Sequence, residues 1–237
     1  MKLNPYDTQV ATAFKASREV PRAGLEEWRA AIERHLRPLP GMTLVDIGAG
    51  TGAYAAAFAD WFGIDVIAVE PSAAMRSHIP SAIPAHDGDA CALPLPDDSA
   101  DAAWLSLVLH HVLDLERAAQ EIRRVLRPGA PVLIRQGFPG RLEGVELVRW
   151  FPETARVANS YATIDEMCGA FATAGFRREA LEPVRETRPG TATDLLGELD
   201  ALREADTTLR ALTEEEFERG KARIKETGAG EPRDNWL

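Results

Sequence analysis

Short apolar runs alternate with longer amphipathic stretches through the first 135 residues. Residues 42–47, 64–69, 82–86, 100–106 and 131–135 are too short for helices and read as buried strands, bounded by Gly, Pro and polar clusters. Between them lie segments with helical spacing. Residues 7–37 read as helical, with Asp7 or Thr8 as a first cap and Leu25, Trp28, Ile32, His35 and Leu36 as the stripe of a second helix, before Pro38, Pro40 and Gly41 break the chain. Residues 54–62 form the next helix, and Ser72 caps another that carries Met75. Residues 115–126 place Ile122, Val125 and Leu126 on one face and stop at Arg127-Pro128-Gly129. Past residue 140 the pattern loosens. Residues 163–174 read as a helix stopped by Gly175, and 176–185 as a strand. Residues 191–226 read as two or three polar helices, with stripes at Leu195, Leu199 and Leu202 and at Leu209, Leu212 and Phe217. The tail GAGEPRDNWL reads as mobile or as a short edge strand.

Strand and helix alternating at this spacing build a parallel sheet covered on both faces, with right-handed crossovers. The expected fold is a Rossmann-like, doubly wound α/β architecture with a mostly parallel sheet of six to seven strands. The expected organisation is an N-terminal helical cap (1–40), a core (41–190) and a C-terminal helical extension (191–237). The extension forms one unit with the core and is a candidate lid that keeps water from the acceptor.

Composition narrows the function. The chain has 237 residues, 45% of them hydrophobic, enough for one sizeable core. Its formal net charge is -10, so counterion release gives it no affinity for nucleic acid or for anionic membrane. No apolar run approaches the roughly 20 residues of a membrane helix, and MKLNPYDTQV has no apolar leader core. A cytoplasmic protein is expected, monomeric or homodimeric, with Cys91 and Cys168 as free thiols.

The stretch LVDIGAGTGAYAAAF, residues 44–58, carries the first chemistry. Gly48, Gly50 and Gly52 let the backbone turn with positive φ and let a ligand approach the main chain, beside a helix N-terminus with free N–H groups. Gly48-x-Gly50-x-x-Ala53 is a loose dinucleotide fingerprint, so the glycines alone leave the ligand open. Asp46 would repel a pyrophosphate and suit a cationic, phosphate-free ligand such as S-adenosylmethionine; it could also merely order the loop. Glu70 ends the second strand at ribose-binding distance from the glycines, a spacing both cofactor classes use. Asp89 could accept from an adenine amine while the Ala90 N–H donates to the ring.

Four pieces in register, VDIGAGTG, VEPSAAM, GDACALPLPDDSADAAWLSLVLHHV and EIRRVLRPGAPVLIR, resemble the class I S-adenosylmethionine-dependent methyltransferases, in particular the small-molecule type 11 branch. The resemblance covers residues 45–135 and is loose outside them. It implies a seven-stranded sheet ending in an antiparallel pair. The long helical stretch before residue 231 departs from that pattern and puts the last strand in doubt. It implies that Asp46, Gly48, Gly50 and Gly52 hold the methionine end, Glu70 the ribose, and Asp89 and Ala90 the adenine. Pro71 and Met75 would flank the ring or the loop beneath it. Leu105 or Ser106 would line the path to the methyl group. Tyr6 and Phe14, in the N-terminal helices, would close over the cofactor, with Phe14 also a substrate-binding candidate. The implied cofactor is S-adenosyl-L-methionine, leaving as S-adenosyl-L-homocysteine.

Methyl transfer needs a nucleophile held in line, and a base only if the acceptor starts protonated. His110 and His111, after the fourth strand, are the candidate bases, or packing and loop residues. No metal is expected, since His110, His111 and Asp114 do not form a recognised ligand spacing. Arg135 and Arg141 could grip a substrate carboxylate or be solvated loop charges. Trp150, Phe151 and Tyr161 read as core or as an apolar acceptor pocket. The expected function is methyl transfer to an O, N or C atom of a small molecule, in specialised metabolism. The rivals are a nicotinamide-dependent oxidoreductase and a noncatalytic S-adenosylmethionine-binding regulatory module.

Overall fold

In a computed structural model, which describes residues 11–12 and 22–237, the apolar runs form a five-stranded parallel sheet. The strands are β1 (Thr43–Ile47), β2 (Asp65–Val69), β3 (Ala85–His86), β4 (Ala102–Ser106) and β5 (Val132–Arg135), in the order β3-β2-β1-β4-β5. β1 is central. Ile47 pairs with Val69 on one side and Leu105 on the other, so the order reverses beside β1. Leu44, Val45, Asp46 and Ile47 are all buried, as a strand covered on both faces requires.

The helices are α1 (Glu26–Leu36), α2 (Ala53–Phe62), α3 (Ala73–Arg76), α4 (Leu115–Val125), α5 (Glu146–Trp150), α6 (Ala155–Ala158), α7 (Ile164–Thr173), α8 (Leu199–Ala205), α9 (Thr207–Arg210) and α10 (Glu214–Thr227). Alternation along β4 shows the two layers. Ala103 and Leu105 join a core with Ile122 and Val125 of α4 and Phe171 of α7. Trp104 points the other way and meets Tyr54 and Phe58 of α2, with ring centroids 5.0 and 5.4 Å apart. The short helix α3 forms because Ser72 Oγ accepts from the Met75 N–H.

The chain divides into two compact units. The first, whose larger described parts are Arg29–Gln136 and Ala162–Leu181, contains the parallel sheet. The second includes Gly137–Tyr161 and Glu182–Leu237. In it β6 (Arg185–Thr191) and β7 (Pro232–Trp236) pair antiparallel, from Arg185 opposite Trp236 to Arg188 opposite Arg233. Trp150, Phe151, Leu195, Leu199, Leu209 and Phe217 lie in its core. Arg233, almost wholly buried on β7, donates through Nε to Glu146 and through both terminal nitrogens to Glu198.

The parallel sheet therefore has five strands rather than six or seven; β6 and β7 form a sheet of their own. The strand expected over 176–185 is not regular structure before Arg185. Residues 177–183 are exposed and have no apolar face to bury, and Pro183 cannot donate to a ladder. The tail does form a strand, β7. His35 lies on the exposed side of α1, while Leu25, Trp28, Ile32 and Leu36 are buried. Cys91 and Cys168 are free thiols. No helix among the described residues is long and apolar enough to cross a membrane.

Candidate functional site

The site is built at the carboxyl ends of β1, β2, β4 and β5. After Ile47 the chain turns through Gly48, Gly50 and Gly52, at φ of 70°, 58° and 80°, into α2. Gly48 has a second reason to be glycine: a Cβ there would lie 2.5 Å from Val108 Cγ2 in the loop after β4. The N–H groups of Gly48 and Ala49 donate to the Val69 carbonyl at 2.8 and 3.2 Å, tying the loop to the end of β2.

Glu70 completes that tie. Its Oε2 accepts from the Gly50 N–H at 2.8 Å and its Oε1 from the Ser72 N–H at 2.9 Å. Burial pushes its pKa up; the Ser72 and Gly50 N–H groups and the Arg76 guanidinium pull it back. Each oxygen retains a lone pair beyond the one in use. Asp46 lies on β1 just before the loop, 2% exposed. Its Oδ2 is buried without a hydrogen-bond partner. Burial first, and the Glu70 charge second, push its pKa to about 7, against a backbone hydrogen bond from Ala55.

On the β3 side, Asp89 is exposed and its Oδ1 accepts from the Cys91 N–H at 2.7 Å, an ordering bond within its own turn. Ala90 and Met75 are buried, and Pro71 is exposed. At the end of β4, Leu105 is fully buried in the core, while Ser106 is half-buried. Leu107 then adopts φ of 57°, a left-handed conformation uncommon for a bulky residue, and donates its N–H to the Arg135 carbonyl at 2.8 Å. A 3-10 turn, Leu109–His111, follows and carries both histidines, whose ring centroids are 3.9 Å apart. Burial lowers the pKa of His111. Gln136 Nε2 lies 3.4 Å from His110 Nδ1. Arg135, at the end of β5, is buried and donates to Ser106 Oγ at 3.1 Å. Its guanidinium carbon stands 5.6 Å from the Tyr54 ring centroid.

The fold thus gathers Asp46, the three glycines, Glu70, Ser106, His110, His111 and Arg135 at adjoining strand ends. Arg141 falls in the second unit and is exposed. Trp150 and Phe151 are core residues of that unit. Tyr6 and Phe14 lie outside the described residues. Among the described residues no cluster of three or more His, Cys, Asp or Glu side chains could hold a metal. Three residues were not anticipated: Tyr54, Leu107 and Gln136. Tyr54 follows the glycine loop by two positions and Gln136 follows Arg135 directly, so proximity was a usable signal for both. Nothing in the composition of WLSLVL marks Leu107.

A parallel sheet of this order, with a glycine turn after its central strand and an acid ending the next, defines a Rossmann-like α/β protein. Residues 45–134 match the family model described as a methyltransferase domain. The demethylmenaquinone methyltransferase of Renibacterium salmoninarum is 32% identical over 131 residues, covering 54% of this chain and 55% of that protein. The ubiquinone/menaquinone biosynthesis C-methyltransferase of a Caulobacter species is 32% identical over 141 residues, covering 53% and 56%. The chain spans about half the length of these curated relatives. A solved structure from Anabaena variabilis, described as a methyltransferase from an antibiotic biosynthesis pathway, superposes with a TM-score of 0.69 at 26% identity, covering 89% of this chain and 87% of that one.

Proposed function

We propose that this protein is an S-adenosylmethionine-dependent methyltransferase acting on a small molecule. The observation that carries the reading is the buried, unpartnered Oδ2 of Asp46 at the start of a glycine turn held by Glu70. A phosphate-bearing dinucleotide would meet two buried carboxylates at this turn, whereas the ammonium of an amino-acid-bearing nucleoside would satisfy one of them. When bound, S-adenosylmethionine supplies an electrophilic methyl group on a sulfonium. The residues present fit it. Gly48, Gly50 and Gly52 leave the main chain open to close approach, and Glu70 keeps lone pairs for ribose hydroxyls. Asp89 has a second carboxylate oxygen for an adenine amine, beside the Ala90 N–H, with Pro71 and Met75 flanking.

The chain's own part in the reaction is then positioning and proton handling. Ser106, half-buried at the end of β4, is where the acceptor would meet the methyl group, with Leu105 packed in the core behind it. His110 or His111 takes the proton of an acceptor that starts as a hydroxyl, an ammonium or an acidic carbon. His111 suits this because burial keeps its imidazole neutral. Arg135 orients an anionic acceptor. The naming of two curated relatives for quinone-pathway methylation supports a small-molecule acceptor.

Titration calorimetry with S-adenosylhomocysteine tests the cofactor, and transfer of a labelled methyl group to candidate quinols and phenols tests the reaction. Glu70→Ala is expected to weaken S-adenosylhomocysteine at least about a hundredfold, since it removes two charge-assisted hydrogen bonds worth about 1.5–3 kcal/mol each. Unchanged affinity in that variant, or binding of NADH in place of S-adenosylhomocysteine, would overturn the proposal.

A further inference from the structure

The segment that joins β3 to β4 has its backbone met by one stripe of α4. Arg117, Glu121 and Arg124 lie four and then three residues apart, on one side of the helix. Arg117 Nε donates to the Cys91 carbonyl at 3.1 Å. Glu121 Oε2 accepts from the Leu93 N–H at 3.2 Å. Arg124 donates through Nη2 to the Leu93 carbonyl at 2.9 Å, and through Nη1 to the Leu95 carbonyl at 2.8 Å and to Asp97 Oδ1 at 2.7 Å. Its Nε and Nη2 also donate to the two oxygens of Glu121, at 3.2 and 2.8 Å. At the end of the helix the Arg124 and Val125 carbonyls accept from the Asp98 and Ser99 N–H groups at 2.9 and 2.8 Å. Segment and helix thus meet in the same order along both. Leu93 and Leu95 are buried in one core with Ala118 and Ile122, so the Leu93 N–H is taken from water and needs the partner that Glu121 supplies. A lone surface ion pair is worth little. Two partners of Arg124 are main-chain carbonyls, however, and these fix the course of the backbone.

Asp89 and Ala90 lie directly upstream of this held segment and are tied to it. The Cys91 N–H donates to Asp89 Oδ1 at 2.7 Å and the Ala92 N–H to the Asp89 carbonyl at 3.1 Å. Gly88 packs on the same segment: a Cβ there would lie 2.6 Å from Pro94 Cδ. The place of Asp89 and Ala90 is therefore set by where residues 91–97 lie, and those residues lie where α4 holds them. We infer that Arg124 and Glu121 are positioning residues for the adenine end of the cofactor site, setting Asp89 and the Ala90 N–H through the backbone of residues 91–97. The inference rests on the proposed reading of Asp89 and Ala90 as the adenine contacts. Reading an adenine takes an acceptor for its amine and a donor for its ring nitrogen at a fixed separation, because a hydrogen bond weakens steeply away from its geometry. The hydrogen bonds from Arg124 hold the Glu121 carboxyl below its ordinary range, so it stays ionised and accepting at neutral pH.

Titration calorimetry on the full chain with S-adenosylhomocysteine and S-inosylhomocysteine tests this. In the inosine base a carbonyl replaces the amine and the neighbouring ring nitrogen carries a proton, so both contacts with Asp89 and Ala90 are opposed. Wild type is expected to prefer S-adenosylhomocysteine at least about tenfold. Arg124→Met keeps an apolar stem and removes the donors. It is expected to bring that preference close to unity, by weakening the adenosine ligand far more than the inosine one. A residue that only stabilises the fold would lower the melting temperature and weaken both ligands alike, or neither. The wild-type preference retained in Arg124→Met overturns the inference. Arg124→Lys keeps the charge beside Glu121 but has one nitrogen for two carbonyls, and its preference is expected to fall between the two. It decides on the same ratio if Arg124→Met does not fold. Hydrogen exchange in the cofactor-free chain gives a second reading. Arg124→Met is expected to lose protection at the N–H groups of Cys91, Ala92 and Leu93, and protection kept there overturns the inference whatever the ligands do. A wild type that binds no S-adenosylhomocysteine overturns the methyltransferase reading and this inference with it. A wild type that binds it, with equal losses for both ligands in the variants, overturns the inference alone.

Discussion

Asp46 shows how one buried group can report on ligand binding. Burial, by penalising the charge, pushes its carboxyl up from the ordinary 3.8 to about 7. The folded chain therefore holds a proton that the unfolded chain has lost across that window. The stability so gained is fully present below 3.8 and is lost as pH rises through about 7. Asp46→Asn should flatten that part of the stability curve, measured by urea midpoints between pH 5 and 8. A cation placed beside Asp46 restores its charge, so S-adenosylhomocysteine should release a proton on binding below pH 7. Its affinity should rise by up to about tenfold per pH unit toward neutrality. Calorimetry in two buffers of different ionisation enthalpy reads the proton; a slope that persists in Asp46→Asn would refute the assignment. Gly48 makes a second residue-scale case. Gly48→Ala adds a left-handed penalty of about 1–2 kcal/mol and a Cβ 2.5 Å from Val108 Cγ2. Val108→Ala should restore only the share due to the clash, leaving the backbone penalty, in a double-mutant cycle on the melting temperature.

Among the elements, α10 exposes a contest between helix propensity and packing. Alanine is the better helix former by about 1 kcal/mol, yet a Cβ at Gly220 would lie 2.1 Å from two ring carbons of Phe151. Phe151 stacks on Phe217 with centroids 5.6 Å apart, and both rings are fully buried, so neither can yield cheaply. Overpacking of this kind costs about 1–3 kcal/mol, so Gly220→Ala should destabilise the second unit despite its propensity; a raised melting temperature would refute this packing. The pairing of β6 with β7 depends on Arg233 in the same way. Removing one partner of a buried ion pair costs about 3–5 kcal/mol. Arg233→Ala should therefore loosen β7, read as faster amide exchange over residues 233–236. The strands of the parallel sheet were legible because they are apolar on both faces. β6, RETRPGT, was not, since its side chains are mostly charged or small and its pairing is supplied by a segment more than forty residues away.

For the molecule as a whole, the proposed cofactor should act as a stabiliser. S-adenosylhomocysteine at 100 times its Kd should add about 2.7 kcal/mol to the unit it binds. Scanning calorimetry should show that gain in the transition of the parallel-sheet unit, and no shift at saturation would count against the site. Sequence alone determined the parallel architecture, the position of the glycine turn, the acids at the ends of β1 and β2, and the absence of long apolar spans. These follow from local periodicity and from the few residues that can adopt positive φ, both of which are written in adjacent positions. Tertiary structure alone decided that Glu70 holds the loop through Gly50 and Ser72, that Gln136 faces His110, that Arg135 lies over Tyr54, and that Trp150 and Phe151 are core. Those facts depend on which strand ends and turns the sheet order brings together, and on which side chains lose contact with water when it does; neither is encoded in spacing along the chain.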